Sequence, residues 1–118
     1  MNLAELFQHE TGLQDLPSCE TLFKEGDPGN QMYVLMSGTA DIIVHNQVVE
    51  TIGPGAIVGE MAMIDDGARS ATIIAKSDCR LLPIDKKRFN FLIQQTPNFA
   101  IHVMRVIATR LRRTDSLL

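Results

Sequence analysis

Apolar residues recur at two different spacings along the chain, and the spacing changes near Asp85. Before it, short apolar runs alternate with turn-forming residues. Leu22-Phe23-Lys24 leads into Gly26-Asp27-Pro28-Gly29-Asn30, where Pro and Gly sit as tight turns require. Gln31 to Met36 sets Met32, Val34 and Met36 against Tyr33 and Leu35, the period-two pattern of a strand. Ser37-Gly38 separates this run from Thr39 to Val44, and His45-Asn46 separates that from Val48 to Ile52. Gly53-Pro54-Gly55 precedes Ala56 to Val58, and Ala71 to Ala75 and Cys79 to Ile84 follow. Short strands at this spacing predict an antiparallel β-roll or jelly-roll barrel. No helical pattern alternates with them, which excludes a parallel α/β sheet.

From Asp85 the period is helical. Asp85 is a favourable N-cap for Lys86 to Gln95, which carries Phe89, Leu92 and Ile93 at helical spacing. Thr96-Pro97 ends that helix and starts another, since Pro suits a first helical position. Ala100, Val103, Met104, Ile107, Ala108 and Leu111 then form an apolar stripe, opposite Arg105 and Arg112. This stripe is expected to pack on the core, with contact to a second copy or an effector protein as the alternative. The fold class is mainly β with C-terminal helices. The barrel spans about residues 20–84 and the helices about 85–114, within one domain covering 1–118.

Composition narrows the function classes. The chain has 118 residues, 45% of them apolar and 21% charged, which is ordinary for a globular protein. No apolar run approaches the roughly 18 residues of a membrane span, and the acidic N-terminus does not resemble a signal peptide. Cys19 and Cys79 show no metal or redox spacing and read as reduced thiols of a cytoplasmic protein. The net charge of −3 divides unevenly: residues 1–66 hold eleven acids and one base, residues 67–118 three acids and ten bases. The arginines Arg105, Arg110, Arg112 and Arg113 read as a solvated helix face. A pI near 5.5 and the lack of a recognition helix argue against direct DNA binding, which is not expected.

The segment from Ile57 to Ala75 is too polar and too glycine-marked for another hairpin. Glu60 to Ile64 suits one helical turn entered through Gly59, which lets the backbone approach a ligand. Such a turn offers backbone N–H groups to an anion. Arg69 adds a charged fork and Ser70 a hydroxyl. Glu60 repels an anion, but an ionised carboxylate accepts a hydrogen bond from a hydroxyl. Guanidinium and carboxylate together therefore suit a sugar phosphate. The plainer alternatives are a first-turn acid for Glu60 and a solvated side chain for Arg69. Asp65-Asp66-Gly67 reads as a solvated turn, not a metal site.

Gly59-Glu60-Met61-Ala62, six residues, then Arg69-Ser70-Ala71-Thr72 closely resembles the phosphate-binding cassette of cyclic nucleotide-binding domains. The likeness extends upstream through Phe23 to Asp27 and Tyr33 to Gly38, and covers roughly residues 20–113. It implies a β-roll closed by an α-helical lid, with a cyclic nucleotide as ligand and no further cofactor. It further implies Arg69 on the cyclic phosphate and Glu60 on the ribose 2′-OH. Backbone N–H groups near Met61, Ala62 and Ala71 would face phosphate or sugar, Val58 and Thr72 would lie near the base, and Ser70 would serve either. Ser70 leaves the base open, with cyclic AMP favoured over cyclic GMP. The resemblance also implies that an apolar residue past the barrel closes over the base, a part assigned here to Leu117 or Leu118. No output domain follows in this sequence, which is read as a stand-alone sensor, an adaptor or a piece of a larger protein.

Two other classes compete. A cupin-type metalloenzyme needs clustered His and Glu ligands, whereas His9, His45 and His102 fall on unrelated segments. A degenerate domain used only for protein contacts has no need of Glu60 or Arg69.

Overall fold

The structure, a computed structural model, describes residues 1–116, with side chains as far as Arg113. In chain order the elements are α1 (Leu3–Leu6), β1 (Gln14–Leu16), β2 (Thr21–Phe23), β3 (Gln31–Ser37), β4 (Ala40–Val44), β5 (Gln47–Ile52) and β6 (Ile57–Val58). A 3₁₀ turn (Glu60–Met63), β7 (Thr72–Ala75), β8 (Cys79–Asp85), α2 (Lys86–Gln95) and α3 (Pro97–Ser116) follow. In place of a closed barrel, the described strands form two four-stranded antiparallel sheets, ordered β1-β8-β3-β6 and β2-β7-β4-β5. This is the β-roll with C-terminal helices that the sequence pattern predicts.

The alternation in β3 has a direct structural meaning, because this strand lies in a middle layer. Met32 and Val34 pack in the cluster that also holds Phe89 and Phe99 of the helices. Tyr33 and Leu35 pack with Ile42 and Ile73 of the opposite sheet. Both faces of β3 are thus buried, so a strand of alternating orientation is apolar throughout. The β4–β5 hairpin closes through His45 and Asn46, at φ 50° and 65°, the left-handed pair that a two-residue turn requires.

Asp85 caps α2 as expected, accepting from the Arg88 N–H at 2.8 Å. At the N-terminus the structure adds two elements that the sequence pattern does not predict, α1 and β1. Asn2 caps α1, accepting from the Glu5 N–H at 3.2 Å, and Glu10 pairs with Arg88 of α2.

The predicted stripe on α3 is corrected in phase. Val103 is buried and Ile107 packs on the core, but Met104 and Leu111 are 64% and 54% exposed. The buried face runs through Phe99, Val103, Val106 and Ile107 instead. Phe99 fixes this phase: fully buried, its ring meets Phe7 at 6.4 Å and Phe89 at 5.9 Å in edge-to-face contacts. One further step along this face is Arg110. The solvated face expected for the arginines is therefore also corrected, because Arg110 turns inward onto acidic side chains.

Candidate functional site

Local backbone chemistry brings the cassette to one place. Gly59 adopts φ 75° before the 3₁₀ turn, a left-handed conformation that costs a side-chain-bearing residue about 1 kcal/mol or more. After the loop, the Arg69 backbone locks onto the turn between β2 and β3. Its N–H donates to the Asp27 carbonyl and its carbonyl accepts from the Gly26 N–H, both at 2.8 Å. The Asp27 side chain closes that turn by accepting from the Lys24 N–H at 3.0 Å.

These elements enclose a cavity of about 630 Å³, within the range of small-molecule sites. Of the residues singled out from the sequence, Val58, Gly59, Glu60, Met61, Ala62, Arg69, Ser70 and Ala71 line it. Thr72 is not on its wall, and its hydroxyl accepts from the Glu25 N–H at 2.9 Å. Leu117 and Leu118 lie outside the described residues.

Arg69 and Glu60 are the two buried charged residues among those described, at 8% and 4% exposure. Arg69 Nη1 donates to the Gln31 carbonyl at 2.7 Å and to the Gly59 carbonyl at 3.4 Å, and its guanidinium lies 4.1 Å from the Phe23 ring centroid. Its Nε is the buried side-chain polar atom without a partner among the described residues. Burial lowers the pKa of Arg69, while Tyr33, Asp27 and Glu60 pull it back up. A guanidinium starts so far above neutrality that it stays charged. A buried cation with an unfilled donor invites an anion, because an unmade bond of this kind costs about 1–3 kcal/mol or more.

Glu60 is already engaged. Arg110 Nη1 donates to Glu60 Oε1 at 2.8 Å, and its Nη2 donates to the Ile57 carbonyl at 2.8 Å. Arg110 and Arg113 also reach Glu50 Oε1 of β5, at 3.4 and 3.0 Å. Arg110, Arg113 and Glu50 line the cavity and were missed from the sequence. The available signal was the helical phase set by Phe99, which places Arg110 on the inward face. A carboxylate held at one oxygen keeps acceptor capacity at the other. Glu60 can therefore take a ligand hydroxyl while paired. Among the described residues no cluster of metal-ligating side chains occurs, and no helix is long and apolar enough to cross a membrane.

The family model described as cyclic nucleotide-binding domain matches residues 13–96. The CRP-like cAMP-activated global transcriptional regulator of Mycobacterium tuberculosis is 29% identical over 107 residues, 86% of this chain and 48% of the relative. The cyclic AMP receptor protein of Thermus thermophilus is 32% identical over 104 residues, 84% of this chain and 48% of the relative. This chain thus spans about half the length of both curated relatives. A solved structure from work on a cyclic-GMP-dependent signalling pathway in bacterial phytopathogenesis is 29% identical. It superposes with a TM-score of 0.72 over 84% of this chain and 82% of that one. With the family match covering most of the sequence and the cassette lining one cavity, the chain belongs to the cyclic nucleotide-binding domain family.

Proposed function

We propose that this protein binds a cyclic nucleotide monophosphate as a sensor or regulatory module, with Arg69 on the cyclic phosphate and Glu60 on the ribose 2′-OH. The observation that carries this reading is the pairing of the two buried charges, one of each sign, on the wall of one cavity. A single cation suits a singly charged cyclic phosphate, and a carboxylate beside it suits a sugar hydroxyl. Cyclic AMP is favoured over cyclic GMP: both curated relatives above carry cyclic AMP in their names, and Ser70 follows the cassette arginine. In this reading residues 1–118 act as one cytoplasmic binding domain without catalysis. A second copy or an effector protein is its partner, and neither DNA nor a membrane is bound directly.

Titration calorimetry with cyclic AMP, cyclic GMP and 5′-AMP tests it. The parent protein binds both cyclic nucleotides, cyclic AMP more tightly, and rejects 5′-AMP, whose open phosphate carries additional charge. Arg69→Ala weakens cyclic AMP binding by about 2–5 kcal/mol, because the buried phosphate loses its counter-charge. Equal affinity of parent and variant removes Arg69 from the site.

A further inference from the structure

The two halves of α3 are held in different ways. Its first half is anchored by apolar burial through Phe99, Val103, Val106 and Ile107. Beyond Ile107 that anchoring stops: Ala108, Thr109, Leu111, Arg112 and Arg113 are all exposed. Among the described side chains, this second half is tied to the cavity wall by the hydrogen bonds and ion pairs of Arg110 and Arg113. Arg110 reaches the Ile57 carbonyl and Glu60 at one sheet, and the same side chain reaches Glu50 on the edge strand of the other. Arg113, one turn further, adds its own bond to the same Glu50 oxygen. Glu50 is thus a shared acceptor for two arginines that lie 60 and 63 residues later in the chain. The Glu50 side chain is 27% exposed, so the pairs are less screened than a fully solvated bridge.

We propose that Glu50 is a positioning residue for the site. It seats the second half of α3 over the cavity and aims Arg110 at Glu60, without itself touching the ligand. This rests on the cyclic nucleotide reading above, and it adds a requirement outside the cassette. Without the Glu50 charge, Arg110 and Arg113 both lose their ion pair with β5. The Glu60 carboxylate is then held less firmly for the sugar hydroxyl.

The test uses Glu50→Gln, which keeps the shape and removes the charge, with Arg113→Gln as a second variant acting on the same contact from the helix. Three quantities are measured: amide hydrogen exchange over residues 107–113 without ligand, the affinity for cyclic AMP, and two ligand ratios. The ratios compare cyclic AMP with 2′-deoxy cyclic AMP, and cyclic AMP with cyclic GMP. In Glu50→Gln, exchange over 107–113 accelerates at least threefold, and cyclic AMP binds about three- to tenfold more weakly. The penalty for deleting the 2′-OH shrinks at least twofold, while the cyclic AMP to cyclic GMP ratio stays within twofold of the parent. Arg113→Gln shifts the same quantities in the same direction. Unchanged exchange and an unchanged 2′-deoxy penalty overturn the proposal. So does a changed base ratio with unchanged exchange, which makes Glu50 a base contact. A parent protein that binds no cyclic nucleotide overturns the functional reading instead. Exchange in the ligand-free variant then decides alone, with acceleration supporting the seating role and no acceleration overturning it.

Discussion

A carboxylate at 4% exposure survives in a fold only if its charge is answered, and Arg110 supplies the answer for Glu60. This sharpens what replacing Glu60 does. Glu60→Gln removes the charge that answers the partly buried Arg110, so some stability is lost even without ligand. The functional part is isolated by using the ligand as the second partner of a double-mutant cycle. Removing the 2′-OH costs the parent roughly 1.5–3 kcal/mol, the contribution of a charged hydrogen bond, and the cost shrinks in Glu60→Gln. Additive effects in calorimetry leave Glu60 as a helix-turn residue only. His102 gives a second prediction at this scale. Its pKa lies below the ordinary 6.5, chiefly through burial, with the chain's N-terminal amine and Arg105 adding to the shift. The folded state therefore prefers neutral His102. Its contribution to stability is complete above pH 6.5 and is lost as the pH falls through the depressed folded value. Urea midpoints at pH 7.5 and 5 for parent and His102→Gln check this, with the smaller acid loss expected in the variant.

Two glycines show how loops and strands share responsibility for Arg69. A methyl group built at Gly29, in the turn after β2, falls on Nε and Cζ of the Arg69 guanidinium. A methyl at Gly59 lies 2.6 Å from Arg69 Nη1 and 3.1 Å from the Gln31 carbonyl, and the backbone there has φ 75°. The consequences differ. Gly29→Ala meets the far end of a flexible side chain, so the fold adjusts at little cost while Arg69 leaves its seat. Affinity falls tenfold or more and the denaturation midpoint barely moves. Gly59→Ala also strains the backbone, so it costs about 1–2 kcal/mol of stability together with affinity. Paired calorimetry and urea denaturation separate the two, and equal stability losses contradict the assignment. These contacts also show which parts of the molecule local sequence encodes. The bounds of α2 and its Asp85 cap are written in adjacent residues, as are the His45-Asn46 turn and the cassette. Strand β1 is not, because only Leu16 of its three residues is buried and its pairing is with β8, far along the chain. The phase of α3 was misjudged because Met104 and Leu111 match Val103 in hydrophobicity, and only the Phe7 and Phe89 rings around Phe99 decide which side faces inward. Arg110 was put on the solvated face by the same error of phase, whereas Glu50 escaped notice because an ion pair across 60 residues leaves no trace in local sequence.

At the scale of the whole molecule, the proposed site carries a cost that a bound ligand would offset. Arg69 keeps a buried donor unfilled, and the wall that would surround a nucleotide is assembled from both sheets and from α3. A ligand that binds only this assembled form stabilises every element that contributes to the wall, because unfolding must first release it. At a free concentration one hundred times the dissociation constant, the gain is about 2.7 kcal/mol. Unfolding entropy near 2.1 cal/mol/K per residue, over a chain of this size, turns that gain into a rise in Tm of roughly 10 °C. Cyclic AMP is therefore expected to raise Tm by about this amount in calorimetric scans of the parent, with 5′-AMP leaving it unchanged. Arg69→Ala at the same ligand concentration loses about two-thirds of the shift or more, since a loss of about 2 kcal/mol in binding raises the dissociation constant about thirtyfold and leaves a gain of only about 0.9 kcal/mol. Glu50→Gln retains about half to three-quarters of it, because an affinity lowered three- to tenfold still leaves a gain of about 1.4–2.1 kcal/mol at that concentration. A graded response of this kind, with Arg69 essential and Glu50 secondary, is what separates a group that meets the ligand from one that holds the wall in place. Equal loss in the two variants would place them in the same role and contradict the division drawn between them.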